Sequence, residues 1–254
     1  MRSLRIRAGI VLAVLALSGA AGGVVRAADG DPTPAVSGST PVAVEIFLSQ
    51  ACGRCPPAAD YLTDLAARPD VVALAWHVDY WNFMARGADG HWDDPFSDDA
   101  FSERQRIYNL NIRKRSSVFT PQAVIAGVET AVGSNRDAVE SLIDAAQDRP
   151  AMTMRMGRKD DTITIAVDGA DEPCEAFLVT FQREARTTIT GGDNAGVLFV
   201  EANVVTDVQR LGAICAEAAT FSAPAPGEGK GCALLVQEPE QGRIISAAYC
   251  PAET

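Results

Sequence analysis

The sequence predicts an α/β domain over residues 41–149, followed by a mainly β domain over residues 150–254. Over residues 42–146, short apolar runs typical of strands alternate with segments whose apolar residues recur at helical spacing. Beyond Pro150 the apolar runs are short and rich in β-branched residues, which favours strands. Cys52 and Cys55 fall between the first predicted strand and the first predicted helix.

The elements of the front region are predicted in the order strand, helix, strand, helix, strand, strand, helix. The predicted strands are 42–48, 71–78, 118–127 and 130–132, and the predicted helices are 56–68, 98–110 and 134–148. Prolines stand at the start of the first helix, where a helix tolerates them, and Ser134 is the predicted cap of the last one. In the back region, strands are predicted at 162–169, 175–183, 197–212, 232–237 and 243–250.

The first 27 residues have the pattern of a secretory signal peptide. Three arginines precede an apolar run over residues 8–21, and small residues lead to a cleavage site after Ala27. A membrane anchor is disfavoured because this run is shorter than the roughly 20 residues that span a bilayer. We therefore expect a periplasmic or secreted protein without stable membrane insertion, and a flexible lead-in over residues 28–40, which is rich in Pro, Gly and Ser.

The chain is acidic, with 33 Asp and Glu residues against 22 Lys and Arg. This balance disfavours nucleic acid and anionic membrane surfaces as partners. An acidic stretch comprises Asp89, Asp93, Asp94, Asp98 and Asp99. It lacks the spacing of a calcium-binding loop and is interpreted as a solvated surface. Arg104 belongs to a nearby basic cluster that is interpreted mostly as an exposed helix face.

The order of elements, with Cys-x-x-Cys after the first strand and Thr120-Pro121 at the start of the third, resembles the thioredoxin fold. The chain also resembles a bacterial exported thioredoxin-like family of unknown function (domain of unknown function twelve twenty-three). The resembling stretches are VEIFLSQACGRCPPAADYL, HVDYW, DPFSDDAFSERQRIY, VFTPQAVIAG, GGDNAGVLF and NVVTDVQRLG. The resemblance implies an α/β thioredoxin-like domain in which a cis Pro121 faces the cysteine pair and Thr120 binds substrate. It implies no particular activity.

The cysteine pair is predicted to carry out thiol–disulfide exchange. Cys52 is the predicted nucleophile because it lies just before a helix, where unpaired backbone N–H groups and the helix dipole favour an anion. Cys55, one turn inside, is the predicted resolving thiol. Arg54 is expected to support the thiolate at Cys52 through its positive charge.

Three further residues are candidate supports for this chemistry. In thioredoxins a buried acid beneath the disulfide moves the resolving proton, and Glu45 is the candidate here, the alternative being a partly exposed glutamate at a strand end. His77 lies at the end of the second strand and Trp81 follows it, and both are candidates for the rim of the site. The alternative interpretation is that these two residues only pack in the core and form a turn.

Two other uses of the pair stay open. One is a non-enzymatic binding module in which Cys52 and Cys55 form a structural disulfide, although so small a loop constrains little of the unfolded chain. The other is a copper or zinc site, which is short of ligands because the chain has only two histidines. No cofactor or resident metal is expected. The expected partners are protein or small-molecule thiols and disulfides, together with a redox partner protein.

The four remaining cysteines are interpreted as structural disulfides, as is usual for an exported chain. Cys232 and Cys250 flank the last predicted hairpin almost symmetrically and are expected to pair, which leaves Cys174 with Cys215. Four cysteines allow three pairings, and this one is favoured.

Overall fold

The structure, a computed structural model, describes residues 41–84, 86–87, 90–214 and 216–252. The predicted signal peptide and lead-in lie outside the described residues. Strands take up 44% of the described chain and helices of all kinds 23%. None of the helices in these ranges is long and apolar enough to cross a membrane.

The front half contains the predicted strands and helices, with bounds that differ by a few residues, and three short elements over residues 81–91 that the sequence did not predict. They are β1 (Val42–Leu48), α1 (Pro56–Ala66), β2 (Val71–His77), α2 (Trp81–Met84), β3 (Arg86–Gly87), β4 (Gly90–His91), α3 (Asp99–Tyr108), β5 (Gln122–Ile125), β6 (Glu129–Val132) and α4 (Arg136–Gln147). A π-helical turn, Asn109–Arg113, extends α3. The cap of α4 is Asn135 and not Ser134, because the Asn135 side chain accepts a hydrogen bond from the Ala138 N–H at 3.3 Å.

The back half is built from strands, as predicted. They are β7 (Met154–Lys159), β8 (Thr162–Val167), β9 (Cys174–Thr188), β10 (Leu198–Ile214), β11 (Ala219–Pro224), β12 (Lys230–Gln237) and β13 (Ile244–Tyr249). Two short 3₁₀ turns, Gly192–Asn194 and Pro239–Gln241, precede β10 and β13. Sequence patterns did not predict β7 and β11.

The predicted fold class, an α/β thioredoxin-like domain followed by a mainly β domain, is wrong. The chain is mostly β, and strands of both halves form one mixed eight-stranded sheet in the order β13-β12-β9-β10-β2-β1-β5-β6. The junction lies between β10 and β2, which run parallel with Val204 opposite Ala75. Asn203 on β10 also donates from Nδ2 to the carbonyl of Ala73 on β2 at 3.0 Å. β2 is an interior strand with β10 at one edge and β1 at the other, and every residue of it is buried.

The large sheet has helices on both faces. Side chains of a strand point alternately to either side, so the apolar side chains on each face need to be covered. On one face, Leu48 of β1 packs in the same core as α1, α4 and the cysteine pair. On the other face, Phe47 packs with Phe101 and Tyr108 of α3. We call these the cysteine face and the α3 face.

A smaller sheet, in the order β11-β8-β7, packs against the back-half strands. Ile163 and Ile165 of β8 share a core with Leu178 of β9 and Leu234 of β12. This core also contains Cys232 and Cys250, which flank the last hairpin and form the predicted disulfide. Burial of these apolar side chains holds the smaller sheet against β9 and β12.

Candidate thiol site

Cys52 and Cys55 lie in the loop between β1 and α1. The loop is a pair of tight turns, in which the Cys52 N–H donates to the Ser49 carbonyl at 3.1 Å and the Cys55 N–H to the Cys52 carbonyl at 3.0 Å. Cys55 is the N-cap residue of α1, and Pro56 opens the helix. The two cysteines are not bonded to each other, and their side chains are 1% and 0% exposed.

Thr120 and Pro121 lie beside the cysteine pair, and the peptide bond between them is cis, as expected. The Thr120 side chain lowers the pKa of both cysteines. It also accepts a hydrogen bond from Trp81 Nε1 at 2.6 Å. The structure therefore brings four residues that the sequence singled out, and Trp81 as a fifth, into one cluster.

The two thiols have different environments. The hydrogen bond from the Cys55 thiol lowers the pKa of Cys52 to about 7 against the opposing effect of burial, and the Thr120 hydroxyl and the backbone N–H groups of Arg54 and Cys55 lower it further. Burial raises the pKa of Cys55 well above its usual value, and the thiolate of Cys52 adds to this effect. At neutral pH the first sulphur is thus about half ionised and the second is a thiol.

Asn194, in the turn before β10, holds the loop from the back half of the chain. Its Nδ2 donates to the carbonyls of Gln50 at 2.8 Å and Cys52 at 3.0 Å. The neighbouring Asp193 lies against Gly53, where a Cβ atom would be 3.1 Å from the Asp193 Cβ. Sequence reasoning assigned neither residue to the site, although both lie in the GGDNAGVLF stretch that carries the family resemblance.

A buried group of charged side chains lies beneath the same loop. We call His77, Asp94 and Glu201 the His77 cluster, and Gln50 of the loop hydrogen-bonds to both of its carboxylates. His77 Nδ1 is 2.7 Å from Asp94 Oδ2, and His77 Nε2 is 3.1 Å from Glu201 Oε1. Burial alone would lower the pKa of His77, but the charges of Asp94 and Glu201 raise it to about 10. The imidazole is therefore a cation at neutral pH, in contact with two carboxylates.

Asp94 does not belong to a solvated acidic surface, as the sequence was interpreted to show. It is 3% exposed, and its Oδ2 accepts hydrogen bonds from the Gln50 N–H and from His77, both at 2.7 Å. Asp98 is exposed as expected and caps α3 by accepting from the Ala100 N–H at 2.8 Å. Asp89 lies outside the residues whose side chains are described.

Glu45 is not brought to the cysteine pair. It is fully buried on the α3 face, where Arg104 Nε donates to it at 2.7 Å and the Tyr108 hydroxyl at 2.5 Å. Arg104 is thus part of a buried ion pair and not of an exposed basic face. Arg54 is exposed to solvent next to Cys55, and the effect of this residue on the pKa of Cys52 comes from its backbone N–H.

Three further cysteines, Cys174, Cys232 and Cys250, lie apart from the site. Cys232 and Cys250 form the expected disulfide. Cys174 is buried at the start of β9, opposite Ile214, and its predicted partner Cys215 lies outside the described residues. Within the described ranges, no group of three or more His, Cys, Asp or Glu side chains is arranged to hold a metal ion.

Comparisons with known proteins identify the family. The model of the family "Protein of unknown function (DUF1223)" matches residues 43–237. A crystal structure of a protein from Agrobacterium tumefaciens is similar with a TM-score of 0.69 and 25% identity, over 84% of this chain and 95% of that chain. HBP35 of Porphyromonas gingivalis shares the fold with a TM-score of 0.55 and 13% identity, over 84% of this chain and 75% of that one. No curated protein matches the chain. Since the family model covers most of the sequence, the chain belongs to the family of proteins of unknown function DUF1223.

Proposed function

We propose that this protein is a thiol–disulfide oxidoreductase that uses Cys52 and Cys55 to exchange disulfides with proteins or small thiols. The observation that carries the proposal is the placement of Cys52 and Cys55, unbonded, at the start of α1 beside the cis peptide bond of Thr120-Pro121. The pKa values shift in the directions that exchange requires, to about 7 for Cys52 and well above the usual value for Cys55. A nucleophile must be ionised at the working pH, whereas the resolving thiol must keep its proton until the mixed disulfide forms. A structural pair has no need of this difference.

The reaction follows from this difference. The Cys52 thiolate attacks one sulphur of a substrate disulfide, whose S–S bond breaks, and the departing thiolate takes up a proton. Cys55 then loses its proton and attacks the Cys52 sulphur, which releases the second substrate thiol and leaves a Cys52–Cys55 disulfide. Two electrons pass from the dithiol to the substrate. A redox partner resets the pair by the same steps in reverse.

Trapping of the mixed disulfide tests this proposal. Replacing Cys55 with Ser removes the resolving thiol, so the Cys55→Ser protein accumulates adducts through Cys52 when it is incubated with a disulfide substrate. The Cys52→Ser protein is the matched control and forms none, because the pKa of Cys55 is too high. Adducts are counted by non-reducing electrophoresis and mass spectrometry, with hydroxyethyl disulfide as the small probe. Absence of adducts from both variants would contradict the proposal and favour a structural pair.

We propose further that the protein acts in an oxidising compartment outside the cytoplasm. The arginine-led apolar segment before Ala27 supports export, and the Cys232–Cys250 disulfide is of the kind that persists in such compartments. N-terminal sequencing of the protein from a fractionated bacterial host tests this. A chain that begins after Ala27 in the periplasmic or secreted fraction is the expected result, and an uncut chain in the cytoplasm would contradict it.

A further inference from the structure

Gln50, two residues before Cys52, is held by side chains from three separate parts of the chain. Its backbone N–H donates to Asp94 Oδ2 at 2.7 Å, and its side-chain Nε2 donates to Glu201 Oε2 at 2.8 Å. Its carbonyl accepts from Asn194 Nδ2 at 2.8 Å. The conformation of the loop that carries the nucleophile therefore depends on the His77 cluster.

Stability alone does not account for this cluster. The three residues of the cluster, His77, Asp94 and Glu201, are each at most 3% exposed, so both carboxylates lose their hydration on folding. Buried ion pairs seldom stabilise a fold more than apolar side chains of the same size would. Two of these three ionisable groups hydrogen-bond to Gln50 in the loop of the cysteine pair, and the third lies between them. This arrangement points instead to a role in the chemistry of that loop.

We propose that His77, Asp94 and Glu201 are positioning residues for thiol exchange, which hold Gln50 and, through their combined charge, limit the thiolate fraction at Cys52. This inference rests on the proposed function. Two carboxylates and one imidazolium leave one negative charge on the cysteine face, and a negative charge opposes ionisation of a nearby thiol. Removing one carboxylate while His77 stays protonated beside the other should therefore increase the thiolate fraction. Since a more stable thiolate favours the reduced pair, the protein should also become a stronger oxidant.

The test uses two conservative variants, Glu201→Gln and Asp94→Asn. Each keeps the shape of the side chain and an oxygen that accepts the hydrogen bond from Gln50, but removes one negative charge. We expect the rate at which iodoacetamide alkylates Cys52 at pH 6 to rise about threefold in either variant. At pH 8, where Cys52 is mostly ionised, the equilibrium constant with glutathione should move about threefold toward the reduced protein, or roughly 14 mV. Two independent variants keep the test decisive if one of them does not fold.

Glu45→Gln is the matched control, because Glu45 is an equally buried carboxylate that lies on the α3 face. This variant should lower the melting temperature without changing the alkylation rate or the glutathione equilibrium. The inference would be overturned if the alkylation rate and the glutathione equilibrium were unchanged in Glu201→Gln and Asp94→Asn, or changed in the opposite direction. It would also be overturned if Glu45→Gln changed them equally. Alkylation requires access of iodoacetamide to the Cys52 thiolate but no exchange reaction. Its result therefore stands even if the wild-type protein fails to exchange with glutathione, which would contradict the proposed function alone.

Discussion

The Thr120 side chain lowers the pKa of both thiols of the cysteine pair. The hydroxyl accepts its own hydrogen bond from Trp81 Nε1, which leaves its proton available to the sulphurs. Its orientation is thus determined by a ring on α2 as well as by the backbone before Pro121. Thr120 therefore stabilises the charged form of Cys52 as a fixed donor.

We predict that Thr120→Val raises the pKa of Cys52 by about one unit, because a hydrogen bond to a charged group contributes about 1.5 kcal/mol. The pH profile of alkylation by iodoacetamide measures this shift. Thr63→Val is the control, since the Thr63 hydroxyl donates to the Ala59 carbonyl on α1 and not to a sulphur. A profile unchanged in Thr120→Val would show that the hydroxyl does not support the thiolate.

His77 gives the protein a pH dependence of its own. Its pKa is about 10 in the folded protein against 6.5 in an unfolded chain, so its contribution to the free energy of unfolding is complete below about pH 6.5 and is lost as the pH rises through 10. We predict that this free energy falls between pH 7 and 10 in a Cys52→Ser/Cys55→Ser background, where the thiols do not titrate. Addition of His77→Gln should flatten the curve in urea denaturation, and equal slopes in the two proteins would contradict the assignment.

Sequence reasoning found the residues of the site that a local pattern marks. Cys52, Cys55 and the Thr120-Pro121 step were all evident from motif and resemblance. Asp94 was missed because it stands in a run of aspartates, and nothing in that run distinguishes the one residue that is buried. Glu201 was missed because its role depends on a strand pairing that periodicity does not specify.

The contact between β1 and α3 rests on a buried ion pair. Arg104 of α3 donates from Nε and Nη2 to the two carboxylate oxygens of Glu45, at 2.7 and 3.1 Å, and its guanidinium lies 4.8 Å from the centre of the Trp76 ring. Arg104 Nη2 also donates to Gln237 Oε1 at 3.1 Å. The pair therefore joins α3 to strands from both halves of the chain.

We predict that Arg104→Met lowers the free energy of unfolding by about 3–5 kcal/mol, because it leaves a buried carboxylate without its partner. Adding Glu45→Gln to this variant should recover much of the loss. Arg136→Met is the control, since Arg136 and Asp64 form an exposed pair whose loss should cost less than about 1 kcal/mol. Urea denaturation measures all four proteins, and similar losses for the buried and exposed arginines would contradict the argument.

The arrangement of the elements was harder to predict than the elements themselves. The sequence located β1 and α1 to within two residues because their apolar spacing is regular. It did not show that β10 pairs with β2, since a strand buried on both faces has the same pattern whichever strand lies beside it. The fold class was wrong for this reason, although most of the strands and helices were found.

A sheet shared by the two halves implies that the front half is not stable alone. We predict that a fragment of residues 41–149 has little fixed tertiary structure, because β2 loses its neighbour β10, and His77 loses Glu201. Circular dichroism and thermal denaturation of the fragment, beside residues 41–254 as the control, measure this. A fragment that unfolds cooperatively at a similar temperature would contradict the prediction.

The hydrogen bonds from Asn194 to the cysteine loop also have a consequence in time. A ribosome makes the chain from its N-terminus, and Asn194 follows Cys52 by 142 residues. At about 5–20 residues per second, roughly 7–28 s pass between the appearance of the nucleophile and that of the side chain which fixes its loop. During that interval Cys52 is an ordinary thiol of a nascent chain, and any early disulfide it forms is made without the environment that sets its reactivity in the finished protein.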